Sequence, residues 1–364
     1  MKILIIAGAR PNFMKIAPII HSLNLAKIKC PNIIYRLVHT GQHFDEKMSR
    51  SFFRELEIPE PDINLECGGG SQAEQTAAIM IKFEKELIEN PTDLVLVVGD
   101  VTSTMACALV ARKLNIKVAH VEAGIRSGDW SMPEEINRVV TDSISNYFFT
   151  TTIQASENLI ALGFNVSNIY FVGNTMIDTL LKQMNRFKKP ELYDVHGLKS
   201  SKYFVLTLHR PGNVDDENTL AILLYEIIEN ANKLPVVFPV HPRTRKNLSA
   251  LTLSFPNLIL TEPLSYLEFN YLVKNAKAVI TDSGGITEET TVMGVPCITL
   301  RNSTERPETC IVGTNELIGT NPRALKPALE KLFRGEWKKG GIPDLWDGKT
   351  SDRIVNHLLE ILKT

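Results

Sequence analysis

The sequence predicts an α/β protein with two doubly wound domains that face a cleft. Short apolar runs rich in β-branched residues, such as DLVLVVGD and AVITDSGG, alternate with stretches of helical periodicity, such as AEQTAAIMIKFEKELIE. Unbroken apolar strands that alternate with helices are typical of a parallel sheet covered by helices on both faces. The series runs twice, and a charged, proline-containing segment, MNRFKKPELYDVHGLKSSK, separates the two runs. We therefore expect two Rossmann-like domains joined by that segment.

The predicted strands follow one another in a simple order along the chain. They are KILIIAG, IIYRLVHTG, DLVLVVGD, KVAHVEAG, YFFTTT and IYFVGN in the first domain, and YFVLTLHRPGN, PVVFPVHPR, LILTE, AVITDSGG and PCITL in the second. The last segment, SDRIVNHLLEILKT, has an apolar helical face formed by Ile354, Val355, Leu358, Leu359 and Leu362. Because such a face must pack on something, we expect this helix to return to the first domain. The predicted domains are residues 1–173 with 351–364, and residues 174–350.

Composition and charge favour a protein that acts on small molecules. The 364 residues are 44% hydrophobic and 22% charged, which is ordinary for a globular chain long enough for two domains. The formal net charge is −1 and no lysine-rich or arginine-rich block occurs, so neither nucleic acid nor a membrane is an expected partner. The five cysteines have no C-x-x-C spacing, which suits a reducing compartment without zinc or disulfides. The opening run, MKILIIAGARP, is too short for a signal peptide or membrane span, so we expect a cytoplasmic protein.

Polar side chains at the ends of the predicted strands are the candidates for a binding site. In parallel α/β sheets, ligands bind beyond the carboxyl ends of the strands, where loops and helix N-termini converge. The candidates at these places are Arg10, Asp100, Glu122, His209, Arg210, His241, Asp282 and Ser283. Each of them alone could be a turn former or a helix cap. So many polar groups at corresponding places favour a shared site.

The loop after the first strand, AGARPNFMKIAP, is a glycine turn before a helix that carries Pro11 and, one turn later, Lys15. Arg10 and Lys15 could bind an anion, or they could lie on the surface of an ordinary loop. The sequence contains neither G-x-G-x-x-G nor G-x-x-x-x-G-K-[ST], so a dinucleotide-dependent dehydrogenase and a P-loop phosphotransferase lose their main support.

The segment SGDWSMPEEINRVVTD brings further carboxylates. Pro133 suits the first position of a helix, and the two glutamates after it complement the helix dipole. Glu134 could pair with Arg138 at i,i+4, which would be a purely structural role. However, the segment follows closely on Glu122, and Asp100 ends the neighbouring strand. Carboxylates brought to one cleft can repel each other so that one holds a proton near neutral pH, as general acid and base chemistry requires.

The segment ITDSGGITEETTVMG combines a glycine-rich helix start with two glutamates. Residues 282–285 would let backbone N–H groups approach an anion closely, which suits a diphosphate. Glu288 and Glu289 could simply complement the helix dipole. Alternatively, a glutamate here accepts hydrogen bonds from two ribose hydroxyls, as acidic residues do in dinucleotide sites. Arg301 and Arg306 would then supply positive charge to the diphosphate.

Together these motifs resemble the non-hydrolysing UDP-N-acetylglucosamine 2-epimerase family. The resemblance covers nearly the whole chain and rests, in order, on GARPNFMKIAP, TGQHFDEKMS, VVGDVTST, HVEAGIRS, MPEEINR, TLHRPGNVD, PVHPRT, TDSGGITEE and RNSTERPE. It implies the two-domain fold of the B-type glycosyltransferases, with UDP held mainly by the C-terminal domain and the sugar in the cleft.

The resemblance also implies an activity and its residues. The reaction is reversible C2 epimerisation of UDP-N-acetylglucosamine to UDP-N-acetylmannosamine, by anti elimination of UDP to 2-acetamidoglucal and re-addition, with no cofactor or metal and in a homodimer. The implied catalytic residues are Asp100, Glu122, Glu134 and His209. The implied substrate-binding residues are Arg10, Lys15, His209, Arg210, His241, Ser283, Gly284, Gly285, Glu289 and Arg306.

The chemistry of the sugar agrees with several carboxylates in one site. The C2 proton has no adjacent carbonyl group, so a carboxylate cannot remove it unaided. Departure of the diphosphate leaves oxocarbenium character at C1, which makes the C2 proton acidic. Its return to the opposite face then needs a second acid. We expect Asp100 and Glu134 to be the main proton-transfer groups, while Glu122 tunes or shares that role.

The sequence departs from the family pattern in two places. Where many members have H-R-x-E-N, this chain has Gly212 in place of the glutamate. In TGQHFDEKMS and CGGGSQAEQT, members activated by UDP-N-acetylglucosamine usually have a second glutamine and an arginine, whereas this chain has Asp45 and a Gly/Ser segment. The first of these two motifs also resembles relatives that act on UDP-2,3-diacetamido uronic acids. Other open alternatives are a retaining glycosyltransferase of the same fold, a hydrolysing epimerase and a catalytically silent nucleotide-sugar-binding regulator.

Overall fold

The computed structural model describes residues 2–42, 53–240, 244, 245, 247, 248 and 255–361. The chain divides into two compact units, Met1–Lys182 with Asp344–Thr364, and Gln183–Pro343. Within the described residues, no helix is both long enough and apolar enough to cross a lipid bilayer.

The described part of the first unit contains a seven-stranded parallel sheet. Its strands are β1 (Lys2–Ala7), β2 (Ile34–His39), β3 (Ile63–Asn64), β4 (Leu94–Val98), β5 (Lys117–Ala123), β6 (Tyr147–Thr150) and β7 (Ile169–Phe171). They lie in the order β3-β2-β1-β4-β5-β6-β7, so the direction of winding reverses between β1 and β4. This is the doubly wound arrangement that the sequence predicts.

Helices cover the first sheet. They are α1 (Arg10–Lys29), α2 (Gln72–Glu89), α3 (Thr102–Lys113), α4 (Pro133–Ile144), α5 (Ile153–Ala161), α6 (Thr175–Gln183) and, at the end of the chain, α14 (Thr350–Ile361), with a 3-10 turn at Val166–Asn168. Phe83 and Ile79 of α2 pack with Leu4 and Val95 of the sheet in a fully buried apolar core.

The start of α2 is a capping box. The Ser71 side chain accepts the N–H of Glu74, and the Glu74 carboxylate accepts the N–H of Ser71. Reciprocal bonds of this kind satisfy two backbone donors that a helix start would otherwise leave unpaired. The Gly/Ser segment noted in the sequence therefore has a structural role.

The described part of the second unit contains a six-stranded parallel sheet. Its strands are β8 (Phe204–Thr207), β9 (Val236–Pro239), β10 (Leu258–Thr261), β11 (Ala278–Thr281), β12 (Cys297–Thr299) and β13 (Asn315–Leu317). They lie in the order β10-β9-β8-β11-β12-β13, so the winding reverses between β8 and β11. Phe204 and Leu206 belong to one apolar core and Val205 to another, which means that both faces of this sheet are covered.

The helices of the second unit are α7 (Glu191–Val195), α8 (Pro211–Val214), α9 (Glu217–Asn230), α10 (Tyr266–Asn275), α11 (Gly284–Met293), α12 (Pro307–Ile311) and α13 (Leu325–Phe333), with 3-10 turns at Met184–Arg186 and Pro322–Ala324. α9 and α13 pack together over one face of the sheet. The two short strands β3 and β13 are absent from the sequence prediction, because runs of two or three residues carry no detectable periodicity.

The boundaries between the units differ from the predicted ones. Residues 174–182 and 344–350 belong to the first unit, although the sequence predicts them in the second domain. The reason lies in α6, where the buried Asp178 carboxylate accepts the backbone N–H groups of Thr350 and Ser351 at 3.1 and 2.7 Å. These bonds join α6 to the start of α14.

The C-terminal helix α14 packs on α1 of the first unit. The Ser22 hydroxyl on α1 donates to the Asp352 carboxylate at 2.7 Å. The apolar face of α14 is buried at Ile354, Val355 and Leu358. Leu362, which is predicted on the same face, lies outside the described residues.

Candidate active site

Asn12 connects the ends of β1 and β4, at the switch point of the first sheet. Its side-chain oxygen accepts the N–H groups of Gly8 and Ala9 at 3.0 and 2.9 Å, and its amide nitrogen donates to the carbonyl of Val98 at 3.1 Å. In open α/β sheets, ligands bind at such a switch point, beyond the carboxyl ends of the strands. Buried Asn12 therefore fixes the turn that carries Arg10, whose side chain is exposed.

Lys15 and Glu122 form a buried ion pair beside this turn. The Lys15 ammonium nitrogen Nζ lies 2.5 Å from Oε2 of Glu122, and both side chains are almost completely buried. A Cβ atom at Gly99 would lie 2.8 Å from this nitrogen, so a glycine at that position leaves room for the pair. Two residues for which the sequence predicts different roles, UDP binding and catalysis, are thus direct neighbours.

Glu122 adopts a strained backbone conformation. Its φ is +74°, in the left-handed region that costs an ordinary residue about 1–2 kcal/mol. The pairing of β5 with β6 also shifts register between Val121 and Ala123, on either side of Glu122. Strained residues of this kind are concentrated in functional sites, where the fold maintains them against their cost. The conformation therefore supports Glu122 as a site residue.

Glu122→Gly is expected to give a protein about 1 kcal/mol more stable than Glu122→Ala, because glycine has no left-handed penalty. Both variants lose the carboxylate and leave Lys15 without this partner, so their difference isolates the backbone strain. Urea unfolding of the two variants measures it. At Lys117, the exposed first residue of the same strand, the order should reverse. An alanine variant at residue 122 as stable as the glycine variant would contradict the strain.

Asp100 follows β4 and is held by α4. Nε and Nη2 of Arg138 both donate to Oδ2 of Asp100, at 3.1 and 2.6 Å. The side-chain amide of Asn137 donates to the Asp100 carbonyl at 2.8 Å. Arg138 is buried, whereas the Asp100 side chain is 29% exposed. The two charge-assisted bonds fix the orientation of this partly exposed carboxylate.

Glu135, the second glutamate of α4, is a structural residue. It is buried and accepts the N–H groups of Ser127 and Gly128 at 3.0 Å each, and a bond from Nη1 of Arg138 at 2.6 Å. Burial alone would raise the pKa of Glu135, but these donors lower it below its ordinary value. Glu135 therefore holds the loop before α4 in place as a carboxylate.

Glu134, the first glutamate of α4, has different surroundings. It is partly exposed and makes no hydrogen bond or ion pair within the part of the chain that the structure describes. The i,i+4 pair of Glu134 with Arg138 that the sequence suggests is wrong, because Arg138 binds Glu135 and Asp100 instead. Of the three predicted carboxylates, Glu122 has an ammonium partner and Asp100 a guanidinium partner, while Glu134 has neither.

The switch point of the second sheet, between β8 and β11, carries His209 and Asp282. Nδ1 of the half-exposed His209 lies 2.8 Å from Oδ1 of the fully buried Asp282. This carboxylate also accepts the backbone N–H groups of His209 and Arg210, at 3.1 and 2.9 Å, and the amide of Asn213 at 3.1 Å. Burial alone would raise the pKa of Asp282, but His209 and these donors lower it. The carboxylate thus orients the imidazole through Nδ1 and leaves Nε2 for a ligand.

Arg210 and Gly212 follow His209 in the segment after β8. Nε of Arg210, a predicted substrate-binding residue, donates to the backbone carbonyl of Asp282 at 3.1 Å. A Cβ atom at Gly212 would meet no atom of the described residues within 4 Å, so a side chain at this position would enter open space.

The start of α11 contains Ser283, Gly284 and Gly285. Backbone N–H groups at a helix start attract anions, because the helix dipole is positive there. In the structure Oε1 of Glu305 lies beside Gly284, 2.5 Å from where a Cβ atom would be. Oε2 of Glu305 accepts a bond from Nη2 of Arg301 at 2.6 Å, while Nη1 of the buried Arg301 has no hydrogen-bond partner among the described residues. A carboxylate thus lies where the sequence predicts a diphosphate.

Glu289 lies further along α11 and is buried. Its Oε1 accepts a bond from the Tyr266 hydroxyl at 2.9 Å and a longer one from the Asn270 amide at 3.4 Å. Burial raises the pKa of Glu289 to about 7, and the bonds from Tyr266 and Asn270 limit the rise. Glu289 therefore changes its charge near neutral pH.

Arg306 and Glu288 form a second buried ion pair, in which Nε of Arg306 lies 2.7 Å from Oε1 of Glu288. The sequence predicts Arg306 as a substrate contact, and here part of its charge is already balanced within the protein.

His241, a predicted substrate-binding residue, lies outside the described residues. Within the described ranges, no group of three or more His, Cys, Asp or Glu side chains is arranged to hold a metal ion.

Two organising residues, Asn12 and Asn213, were missed by the sequence analysis. Each follows an Arg-Pro pair after the first strand of its unit, in GARPN and HRPGN, and each bonds back to the switch point. The repeated Arg-Pro pair with a nearby asparagine is the signal that could have identified them.

Known proteins resemble this chain over nearly its full length. A sequence model of the family described as UDP-N-acetylglucosamine 2-epimerase matches residues 27–359. A UDP-N-acetylglucosamine 2-epimerase from Methanocaldococcus jannaschii is 43% identical over 373 residues, covering 98% of this chain and 99% of that protein. A UDP-2,3-diacetamido-2,3-dideoxy-D-glucuronate 2-epimerase from Pseudomonas aeruginosa is 37% identical over 369 residues, covering 99% of this chain and 100% of that protein.

Solved structures share the fold. The crystal structure of the M. jannaschii UDP-GlcNAc 2-epimerase in complex with UDP-GlcNAc and UDP has a TM-score of 0.89 and 42% sequence identity, and the match covers 99% of this chain and 100% of that one. A lipopolysaccharide outer core galactosyltransferase, 16% identical, has a TM-score of 0.56 over 99% of each chain, which concerns the fold alone. The predicted fold class, that of the B-type glycosyltransferases, is confirmed.

Proposed function

Because the chain belongs to the UDP-N-acetylglucosamine 2-epimerase family, we propose that it interconverts UDP-N-acetylglucosamine and UDP-N-acetylmannosamine. The reaction is anti elimination of UDP to 2-acetamidoglucal, followed by re-addition. The observation that carries the proposal is the set of carboxylates at the carboxyl ends of two neighbouring strands of the first sheet. Asp100 follows β4, Glu122 lies at the end of β5, and Glu134 lies in the first turn of α4, the helix after β5. A glycosyltransferase of the same fold has no need of three carboxylates there.

The first unit supplies the proton chemistry in this proposal. Glu134 makes no bond to a described residue, so it can take up and release a proton without breaking one. Asp100, oriented by Arg138, serves the other face of C2. The Glu122 carboxylate, paired with Lys15, tunes the charge around them.

The second unit holds UDP as a leaving group that must return. The diphosphate binds at the start of α11. With hydrogen on both ring nitrogens, His209 donates from Nδ1 to Asp282 and from Nε2 to the diphosphate. Glu305 gives way to the diphosphate, so that Arg301 turns from one anion to the other. The ribose hydroxyls donate to Glu289.

Deuterium exchange at C2 tests the proposed reaction. The protein is incubated with UDP-N-acetylglucosamine in deuterium oxide and followed by proton NMR. We expect deuterium at C2 of both epimers and accumulation of UDP-N-acetylmannosamine. Release of free sugar, transfer of the sugar to an acceptor, or unchanged substrate would each overturn the proposal.

A UDP-2,3-diacetamido uronic acid is the second candidate substrate. It is favoured by the 37% identity to the P. aeruginosa 2-epimerase named for such a sugar, and by the motif TGQHFDEKMS, part of which lies outside the described residues. The same NMR assay with this sugar separates the two substrates. Exchange only with the diacetamido sugar would change the substrate and leave the reaction type as proposed.

The proposed cellular setting is a homodimer in the cytoplasm that supplies a sugar for a cell-envelope polysaccharide. The five cysteines without a C-x-x-C spacing and the nucleotide-sugar chemistry support the cytoplasm, while the dimer rests on the family resemblance. Light scattering measures the molar mass of the purified protein. Twice the mass of one chain would agree with the dimer, whereas the mass of one chain would contradict it.

UDP affinity is expected to rise between about pH 6 and about pH 8. The pKa of Glu289 is raised to about 7, so below that pH the side chain must lose a proton before it accepts two ribose hydroxyls. UDP binding should therefore release a proton below about pH 7 and none well above it. Calorimetry in buffers of different ionisation enthalpy measures this release. Glu289→Gln is the control, and the same pH slope in both proteins would contradict the role of Glu289.

Glu305→Gln is expected to bind UDP about threefold to tenfold more tightly, or ~0.7–1.4 kcal/mol. The change removes the competing negative charge at the start of α11 and weakens the bond from Arg301 to residue 305. Calorimetric titration with UDP measures the effect. Glu191→Gln, on the exposed start of α7, should bind as the wild type does. Weaker UDP binding by Glu305→Gln would mean that Glu305 helps to hold the ligand.

A further inference from the structure

A buried histidine, His120, lies behind the carboxylates of the first unit. Its side chain has no exposed surface. Nδ1 lies 2.7 Å from Oδ1 of Asp142, and Nε2 lies 2.9 Å from the carbonyl oxygen of Gly99. Both ring nitrogens therefore have oxygen partners at hydrogen-bond distance.

The partner of Nε2 determines the state of that nitrogen. A carbonyl oxygen can only accept, so Nε2 must carry a hydrogen and donate it to Gly99. In a neutral imidazole, Nδ1 would then be an acceptor and would need a donor from Asp142. The charge of His120 thus depends on whether Asp142 is a carboxylate.

The other contacts of Asp142 favour the carboxylate. Its Oδ2 accepts the backbone N–H of Gly124 at 3.1 Å and Nη1 of Arg126 at 2.7 Å. A guanidinium remains charged in proteins, and a buried carboxyl group with several donors around it is stabilised in its ionised form. Asp142 is fully buried and has these donors on one oxygen and His120 on the other.

We infer that His120 is a buried imidazolium that positions the proton-transfer carboxylates, an inference that rests on the proposed function. It joins the three elements that carry them. Gly99 immediately precedes Asp100 at the end of β4, His120 lies two residues before Glu122 on β5, and Asp142 shares α4 with Glu134. One ring thus fixes the end of β4 against β5 and α4.

The imidazolium also places a positive charge close to the carboxylates of the first unit. The charged groups on the elements around it are Lys15, Asp100, Lys117, Glu122, Arg126, Glu134, Glu135, Arg138 and Asp142. Because His120 already has an anionic partner in Asp142, it is a positioning residue and exchanges no proton with the substrate.

Nitrogen NMR of the protein labelled with 15N-histidine tests the charge without an activity assay. The chain has 8 histidines, and the signals of His120 are those lost in His120→Gln or, where that variant does not fold, in His120→Asn. We expect the signals of a ring with hydrogen on both nitrogens, recorded at the pH of the kinetic assay. The signals of either neutral tautomer would overturn the inference.

Kinetics of His120→Gln test the positioning. Glutamine can keep one of the two bonds, so we expect kcat to fall by about 100-fold while the UDP dissociation constant stays unchanged. Loss of the positive charge should also move the acidic limb of the pH profile of kcat to higher pH. His357→Gln, a partly exposed histidine on α14, is the control that should behave as the wild type.

The outcomes separate this inference from the proposed function. Absence of C2 exchange in the wild type overturns the proposed function, whereas the NMR result for His120 stands independently of it. If the wild type exchanges C2 hydrogen and the pH profile of kcat is unshifted in folded His120→Gln, the positioning role is overturned. A purely structural loss would lower stability and leave the acidic limb of that profile in place.

Discussion

Glu134→Gln is expected to lower kcat for epimerisation by about 100- to 10,000-fold, the usual contribution of a positioned acid or base. Glutamine has the same size as glutamate and cannot take a proton from C2. Glu134 makes no bond to a described residue, so the substitution breaks none of the described contacts and should leave the fold intact. Proton NMR in deuterium oxide gives the rate of C2 exchange, and calorimetry should show an unchanged UDP dissociation constant.

Asp100→Asn tests the second proton-transfer group. We expect a loss of kcat in the same range, because asparagine cannot transfer the proton. Asparagine also weakens the two charge-assisted bonds from Arg138. Glu157→Gln, on the exposed side of α5, is the control that should match the wild type. Exchange at the wild-type rate in either Glu134→Gln or Asp100→Asn would remove that residue from the mechanism.

Gly124→Ala is expected to lower the free energy of unfolding of the first unit by about 2–5 kcal/mol. Gly124 has a φ of +77°, and a Cβ atom there would overlap the backbone carbonyl of Ala155, which cannot move aside as a side chain can. The residue also donates its N–H to Asp142 and accepts a bond from the Asn158 amide. Urea unfolding followed by circular dichroism measures the loss.

Gly128→Ala is the matched control for Gly124. Its φ is +72°, but a Cβ atom there meets nothing within 4 Å. The control should lose only the left-handed penalty of about 1–2 kcal/mol. Equal losses at the two positions would show that the overlap with Ala155 is relieved at little cost.

Most of the fold could be predicted from local patterns. Strands such as Leu94–Val98 and Ala278–Thr281 are unbroken apolar runs, and such runs are distinctive because both faces of a parallel sheet are buried. The short strands Ile63–Asn64 and Asn315–Leu317 could not be found in this way. The unit boundary was also missed, since it depends on bonds between Asp178 and backbone groups far along the chain.

The positions of the candidate residues after strands were predictable from the sequence, whereas their bonding partners were less so. Asp100, Glu122 and His209 follow directly from the position of polar residues after strands. The partners of Arg138 could not be predicted in this way, because the sequence spacing also allows a pair with Glu134. Only the packing of α4 directs the guanidinium to Asp100 and Glu135.

The sequence by itself determined the kinds of chemical groups in this protein and the strand ends on which they lie. Periodicity and turn residues are local properties, so they can be recognised without coordinates. The tertiary structure decided which groups are paired and which are not. It holds Glu122 in a left-handed conformation beside Lys15, leaves Glu134 without a partner among the described residues, and buries Glu289. Charge, strain and proton affinity depend on distances and burial between residues far apart in the chain, and these quantities exist only once the chain has packed.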